Sequence, residues 1–190
     1  MNIQIITGSS REGRASNQVT AWVEKTARAT QPDTTWEVVD LKDYDMPLFN
    51  EALPPQGNQD RQLEGSVKAW VEKIAEGDAY VFVTPEYNHS MPAVIKNAVD
   101  YLDFQLKHKP VAVVSHGSVG GARANEHLRL VLNSNLAALP IPEKVTLIAA
   151  PAFAPVFTDE HDLVEEHSGA QKPLEGMLES LVWFAQKLSA

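Results

Sequence analysis

The chain has 190 residues, of which 44% are hydrophobic and 22% are charged. These values are typical of one globular domain and exclude disordered, collagen-like and coiled-coil chains. A net charge of −9 argues against nucleic acid and anionic membranes as partners, and the absence of cysteine excludes disulfides and thiolate chemistry. The apolar runs are too short to span a membrane, and residues 1–11 lack the basic start of a secretory signal. We therefore expect one cytoplasmic domain over residues 1–190.

Apolar runs rich in β-branched residues alternate with segments of helical period along most of the chain. The apolar runs predict five strands, at residues 3–6, 36–41, 79–84, 111–115 and 145–149. The periodic segments predict five helices, around residues 19–27, 67–74, 92–102, 121–139 and 174–188. Pro92 is predicted as the first residue of the third helix, where its missing N–H has no cost. Two irregular stretches, 43–60 and 151–170, interrupt the alternation.

The strands are almost continuously apolar, which is typical of a parallel sheet covered by helices on both faces. Right-handed crossovers leave two open topologies, Rossmann-like and flavodoxin-like. Five strands in 190 residues favour the second. The predicted fold is therefore an α/β, flavodoxin-like three-layer sandwich, with a five-stranded parallel sheet in the order 2-1-3-4-5.

The loop after the first strand, GSSREGRASN at residues 8–17, combines flexible turns, hydrogen-bond donors and positive charge before a helix. The free N–H groups and the dipole at a helix start favour an anion. The pattern is neither a Walker A motif nor Gly-x-Gly-x-x-Gly, so it predicts a monophosphate site. The alternative is a solvated loop with Ser16 as a plain N-cap. The donors and cations of the loop are Ser9, Ser16, Asn17, Arg11 and Arg14.

Two more loops follow the third and fourth strands, at the same predicted edge of the sheet. TPEYNHSMP, residues 84–92, presents an aromatic side chain that suits a flat heterocycle, although Tyr87 packed on the sheet in a surface turn is an open alternative. SHGSVGGAR, residues 115–123, has three glycines that allow backbone N–H groups to approach a ligand, or else form a left-handed turn before a helix. Together the three loops predict an FMN site.

Other chemistries find little support in the sequence. The six histidines show no spacing typical of metal ligands, and the only His/acid cluster is HDLVEEH at residues 161–167, so no metal is expected. The segment His-Gly-Ser-Val-Gly at 116–120 lacks the first glycine of a nucleophile elbow, which argues against an α/β-hydrolase.

GSSREGRASN, PEYNHSMPAVIKNAVDYL and the Gly-Gly loop, in this order and spacing, resemble the NADPH-dependent FMN reductase family over roughly residues 2–150. The resemblance implies that Ser9, Arg11, Ser16 and Asn17 hold the FMN phosphate, with Arg14 at a position where members vary. It implies that the isoalloxazine is lined by Pro85, Glu86, Tyr87 and Asn88. The polar edge of the ring is implied to meet Ser115, Gly117 and Gly120.

The resemblance also implies an FMN-dependent NAD(P)H oxidoreductase that works by ping-pong hydride transfer, with NADPH or NADH as donor. The acceptor is implied to be a small molecule such as a flavin, a quinone or an azo compound. A homodimer or homotetramer is implied as well, with residues 43–60 as a lid and interface loop. No side chain is assigned as a catalytic acid or base, because the flavin does the chemistry. The alternatives are a flavodoxin-type electron carrier without a nicotinamide site and a non-enzymatic α/β binding domain.

Overall fold

A parallel sheet forms the middle layer of the protein in the computed structural model, which describes residues 1–58, 60–149 and 155–189. The sheet order is β2-β1-β3-β4-β5, and β6 also pairs with β4. All of these pairings are parallel. The strands are β1 (Asn2–Thr7), β2 (Thr35–Asp40), β3 (Ala79–Pro85), β4 (Pro110–Gly117), β5 (Leu139–Pro140) and β6 (Val145–Ile148).

Helices cover the sheet on both faces. They are α1 (Ser16–Thr30), α2 (Gly65–Ala75), α3 (Ala93–Asp100), α4 (Ala122–Leu132) and α5 (Gln171–Leu188). Short 3₁₀ turns lie at Leu41–Asp43, Pro55–Gly57 and Glu165–Ala170. Within the described ranges, no helix is both long and apolar enough to cross a membrane.

The core consists of two apolar clusters, one on each face of the sheet. Ile5 and Val81 point to the cluster formed with α1 and α5, whereas Tyr80 and Phe82 point to the cluster formed with α2, α3 and α4. Successive strand residues thus face opposite layers, and both faces exclude water, which explains why the strands are apolar throughout. The predicted flavodoxin-like three-layer fold and its strand order are confirmed.

The predicted fifth strand is observed as β6, and the structure adds a two-residue strand that the prediction missed. β5 pairs with the first residues of β4, and β6 pairs with its last four. Because β3 occupies the other edge of β4, β5 and β6 share one edge of it in succession. The last position in the predicted order is therefore filled by two short segments.

Two predicted helix boundaries were wrong. Residues 121–139 were expected to be helical, but α4 ends at Leu132 and the following residues turn through Ala137, which has a φ of 51°. The apolar period predicted too long a helix because Leu136 is buried, like the apolar residues of α4, although it lies outside the helix. Pro92 is the N-cap of α3 rather than its first residue, because its ψ of 146° is extended.

Residues 47 and 49 of the irregular stretch 43–60 contact α3 and the residue that follows it. The side chain of Asn97 accepts a hydrogen bond from the Phe49 N–H at 2.8 Å, and the Tyr101 hydroxyl donates to the Pro47 carbonyl at 3.1 Å. In the second irregular stretch, Phe157 packs against Trp22 with ring centroids 6.1 Å apart. Residues 59 and 150–154, which belong in part to these stretches, lie outside the described residues.

Candidate functional site: three loops at the carboxyl ends of the strands

The three predicted loops meet because β1, β3 and β4 are adjacent and parallel. The Gly8 N–H donates to the Val83 carbonyl at 2.8 Å, which holds the first loop against the end of β3. A Cβ at Gly8 would lie only 2.5 Å from that carbonyl oxygen and would also overlap Ile95. This approach requires glycine, and it places the first loop directly beside the second.

The first and second loops are joined by a hydrogen bond between side chains. The Oγ of Ser9 lies 2.8 Å from the hydroxyl oxygen of Tyr87, and the Arg11 N–H donates to the same Oγ at 3.3 Å. The Arg11 guanidinium carbon lies 5.5 Å from the centroid of the Tyr87 ring. Ser9 is buried, whereas Arg11 is exposed. An exposed cation and an aromatic face therefore lie together at the mouth of these two loops.

Arg14 occupies a different environment from Arg11. Its guanidinium forms a two-pronged ion pair with Asp40 at the end of β2, with 2.9 Å between Nη1 and Oδ1, and it also donates to the Ser9 carbonyl. The Arg14 side chain is only 7% exposed. Asp40 in addition accepts from the Lys42 N–H at 2.9 Å. Arg14 thus links the first loop to β2 through a side chain that is almost completely buried.

The start of α1 is open to an anion. Its N-cap is Ala15, and among the described residues no side chain caps the helix, so the expected alternative of Ser16 as N-cap is wrong. The first N–H groups of a helix have no acceptor within it. Asn17 is exposed at this end, whereas Ser16 is buried with its Oγ 3.0 Å from Nε2 of His116.

The second loop is a tight two-residue turn. Tyr87 and Ser90 exchange backbone hydrogen bonds of 2.9 and 3.1 Å, and the two residues between them, Asn88 and His89, have φ values of 49° and 66°. Two successive left-handed residues are typical of a type I′ turn. The turn follows Pro85, which is buried at the end of β3, and it presents the ring of Tyr87 beside the first loop.

Glu86 links the second loop to the start of α4. Its carboxylate pairs with the Arg123 guanidinium at 2.7 Å and accepts from the Arg123 N–H at 3.0 Å. Burial by itself raises the pKa of Glu86, but the hydrogen bonds from Arg123 and the Ala124 N–H outweigh it and hold the pKa below its ordinary value. Glu86 is therefore ionised near neutral pH, and its charge is neutralised by the helix that it caps.

The turn in the third loop requires glycines with left-handed backbone conformations. Gly120 and Gly121 have φ values of 76° and 70°, and a Cβ at Gly121 would lie 2.8 Å from the carbonyl oxygen of His116. The Gly120 N–H donates to the Gly117 carbonyl at 3.0 Å. Ser115 is buried, and its hydroxyl donates to the Gly120 carbonyl at 2.8 Å. Ser115 thus shapes this loop from below, while the exposed part of the loop is Ser118 and Val119.

The structure brings all twelve predicted cofactor-binding residues to one edge of the sheet, and they differ in exposure. Arg11, Asn17 and Asn88 are exposed, and Tyr87 is partly exposed. Gly117 is also partly exposed, and Pro85 and Gly120 are buried. The remaining five residues, Ser9, Arg14, Ser16, Glu86 and Ser115, make the contacts given above. The sequence analysis missed the partners of these residues, namely Asp40, His116, Arg123 and Asn125.

Metal ligands are not grouped at this edge or elsewhere in the part of the chain that the structure describes. Over residues 1–58, 60–149 and 155–189, no three His, Cys, Asp or Glu side chains come together as a metal site requires. The acidic residues 159–166 are exposed or partly exposed, and Asp162 pairs with Lys25 at 2.6 Å.

The sequence profile of NADPH-dependent FMN reductases matches residues 1–151, which is most of the chain. The chain belongs to this family. Its match covers the three loops, and it ends where the predicted resemblance ends. The predicted cofactors, FMN and NAD(P)H, are those of the family, and the electron-carrier alternative is not favoured.

Individual relatives agree with this membership. The NAD(P)H-dependent FMN reductase ntnL of Nectria sp is 36% identical over 152 residues, which cover 76% of this chain and 74% of the relative. A quinone reductase of Escherichia coli strain K12 is 37% identical over 139 residues, which cover 68% and 69%. The structure of FerB, a flavoenzyme NAD(P)H:(acceptor) oxidoreductase from Paracoccus denitrificans, matches 98% of this chain and 97% of its own with a TM-score of 0.75. At 24% identity, that match shows the shared fold alone.

Proposed function

We propose that the protein catalyses the reduction of a small-molecule acceptor, such as a quinone or a free flavin, by NAD(P)H. The FMN is proposed to bind where the loops after β1, β3 and β4 meet. The observation that carries this proposal is the exposed Arg11 guanidinium over the ring of Tyr87, in the loop that leads into the uncapped start of α1. A phosphate suits the guanidinium and the helix start, and a flat ring suits Tyr87.

The phosphate end is proposed to use the exposed donors of the first loop. Arg11 supplies the positive charge, and Asn17 and the first N–H groups of α1 supply hydrogen bonds. Ser9, Arg14 and Ser16 belong to the same cradle, and their internal contacts support the view that they hold its shape. In a chain of net charge −9, the loop offers a local site for a doubly negative group.

The ring end is proposed to lie between the Tyr87–Ser90 turn and the third loop. Pro85, Tyr87 and Asn88 are proposed to lie on one side of the ring, and Gly117 and Gly120 on the other. Bound FMN supplies the hydride chemistry, and the protein supplies grip, orientation and electrostatics. N–H groups of the exposed third loop are suited to stabilise negative charge on the ring edge. No side chain is needed as an acid or base in this proposal.

We also propose a homodimer or homotetramer, with residues 43–60 at the interface and with the whole of 1–190 as one cytoplasmic domain. Leu48 and Leu53 support the interface, because these large apolar side chains are 78% and 54% exposed, whereas the neighbouring Phe49 is held by α3. Sedimentation of the purified protein tests the assembly. A monomer at micromolar concentration contradicts this part of the proposal.

The experiment that tests the function begins with the absorption spectrum of the purified protein. We expect the spectrum of bound FMN, which bleaches when NADPH or NADH is added without air and returns when a quinone or an azo dye follows. A carrier without a nicotinamide site keeps its colour when NADPH is added. A protein that is purified without flavin and takes up no added FMN contradicts the proposal altogether.

A further inference from the structure

A buried histidine lies beneath the loop that is proposed to hold the FMN phosphate. His116 is the next-to-last residue of β4, and its Nε2 lies 3.0 Å from the Oγ of Ser16. Ser16 is the first residue of α1, and its side chain is buried as well. This contact joins the end of β4 to the first turn of α1 across 100 residues of sequence.

The charge state of this histidine decides how it can act on an anion. Burial lowers the pKa of His116 to about 4, so the imidazole is neutral near pH 7 and carries one hydrogen. A neutral ring attracts no phosphate by charge, so its influence has to be geometric. A hydroxyl has one hydrogen and two lone pairs, so Ser16 can accept a bond from His116 and keep its own hydrogen for another acceptor.

We propose that His116 is a positioning residue that holds Ser16, and with it the first turn of α1, in the orientation that binds the phosphate of FMN. This inference rests on the proposed function. His116 is buried, so in this proposal it acts through Ser16 and not by contact with the cofactor. Loss of a residue that acts only on the phosphate end should weaken the binding of FMN. It should leave the binding of riboflavin unchanged, because riboflavin has the same ring system without the phosphate.

The test measures dissociation constants of FMN and of riboflavin for the full chain freed of flavin, by quenching of flavin fluorescence. His116→Leu removes the bond at similar volume, and we expect FMN to bind about tenfold more weakly and riboflavin unchanged. His116→Gln places an amide N–H near the position of Nε2, so it is expected to restore most of the FMN affinity. Ser16→Ala is expected to weaken FMN binding at least as much as His116→Leu does, because it removes the hydroxyl itself.

The double variant separates positioning from packing. In the Ser16→Ala background, His116→Leu should cause no further loss of FMN affinity, because the contact is already gone. An unchanged FMN affinity in His116→Leu, or an equal loss for riboflavin, overturns the inference and leaves the proposed function standing. If the wild type binds neither flavin, the proposed function fails and this inference with it. If circular dichroism shows that His116→Leu is unfolded, the FMN-to-riboflavin ratio of Ser16→Ala decides, and an unchanged ratio overturns the inference.

Discussion

Arg11 and Arg14 lie three residues apart in one loop, and the structure predicts different consequences for their loss. Arg11 is exposed and stacks over Tyr87, so we expect Arg11→Ala to weaken FMN binding without changing the fold. A charge-assisted hydrogen bond to a phosphate contributes about 1.5–3 kcal/mol. Giving up the exposed cation–π contact on binding costs about 0.5 kcal/mol of this. The net loss is roughly 1–2.5 kcal/mol, which is about a 5- to 70-fold increase in the dissociation constant.

The assay for Arg11→Ala is a fluorescence titration of flavin-free protein with FMN and with riboflavin. Lys68→Ala is the matched control, because it removes the same charge from an exposed position on α2. We expect the control to bind FMN as the wild type does, and riboflavin to bind equally to all three proteins. An FMN dissociation constant for Arg11→Ala within twofold of the control refutes the assignment of this guanidinium to the phosphate. Equal weakening of riboflavin refutes it as well, because riboflavin has no phosphate.

Three further predictions concern stability, measured by urea unfolding without flavin. Gly121→Ala should lower the free energy of unfolding by about 2–5 kcal/mol, because the new Cβ is strained in the left-handed region and overlaps His116. Gly65→Ala should lower it by only about 1–2 kcal/mol, because Gly65 has a φ of 54° but open space around it. Equal losses for the two variants contradict this prediction. Asp40→Asn leaves the Arg14 guanidinium buried without its anion, so a loss of about 1–3 kcal/mol is expected, and no loss contradicts the pairing. The pKa of His116 falls from 6.5 to about 4 on folding. The unfolded chain therefore binds the extra proton, and stability falls as pH drops from 6.5 towards 4, by about 2–3 kcal/mol at pH 4.5. The His116→Gln variant should lack this component, and an identical pH dependence refutes it.

The sequence predicted the fold well because the signal for buried parallel strands is local. Each long strand is an apolar run, and the structure places the strand bounds within two residues of those predicted. Two of the three failures, the missed β5 and the end of α4, have causes in the sequence pattern. β5 has two residues, one of them Pro140, and is too short to produce a pattern. Leu136 continues the apolar period of α4 and is buried, but the chain has already left the helix at Leu132.

The site was predicted loop by loop, but not the contacts between the loops. Composition shows that a loop with two arginines suits an anion, yet it does not show which arginine is free. That distinction depends on Asp40, which lies opposite Thr7 in the sheet and takes Arg14 into an ion pair. The register of β1 against β2 brings Asp40 to this loop, and no pattern in the residues near Arg14 predicts that register.

The internal contacts explain why so few of the predicted residues are exposed. Ser9 with Tyr87, Ser16 with His116 and Glu86 with Arg123 each tie a loop to another loop or to the helix start beside it. Buried residues that hold a loop backbone in place contribute to ligand binding as exposed residues do, because a loop that is already ordered loses less entropy when the ligand binds. Substitution of a buried member of these pairs should therefore act on affinity through loop geometry. Substitution of an exposed member should instead act through the loss of a direct contact with the ligand.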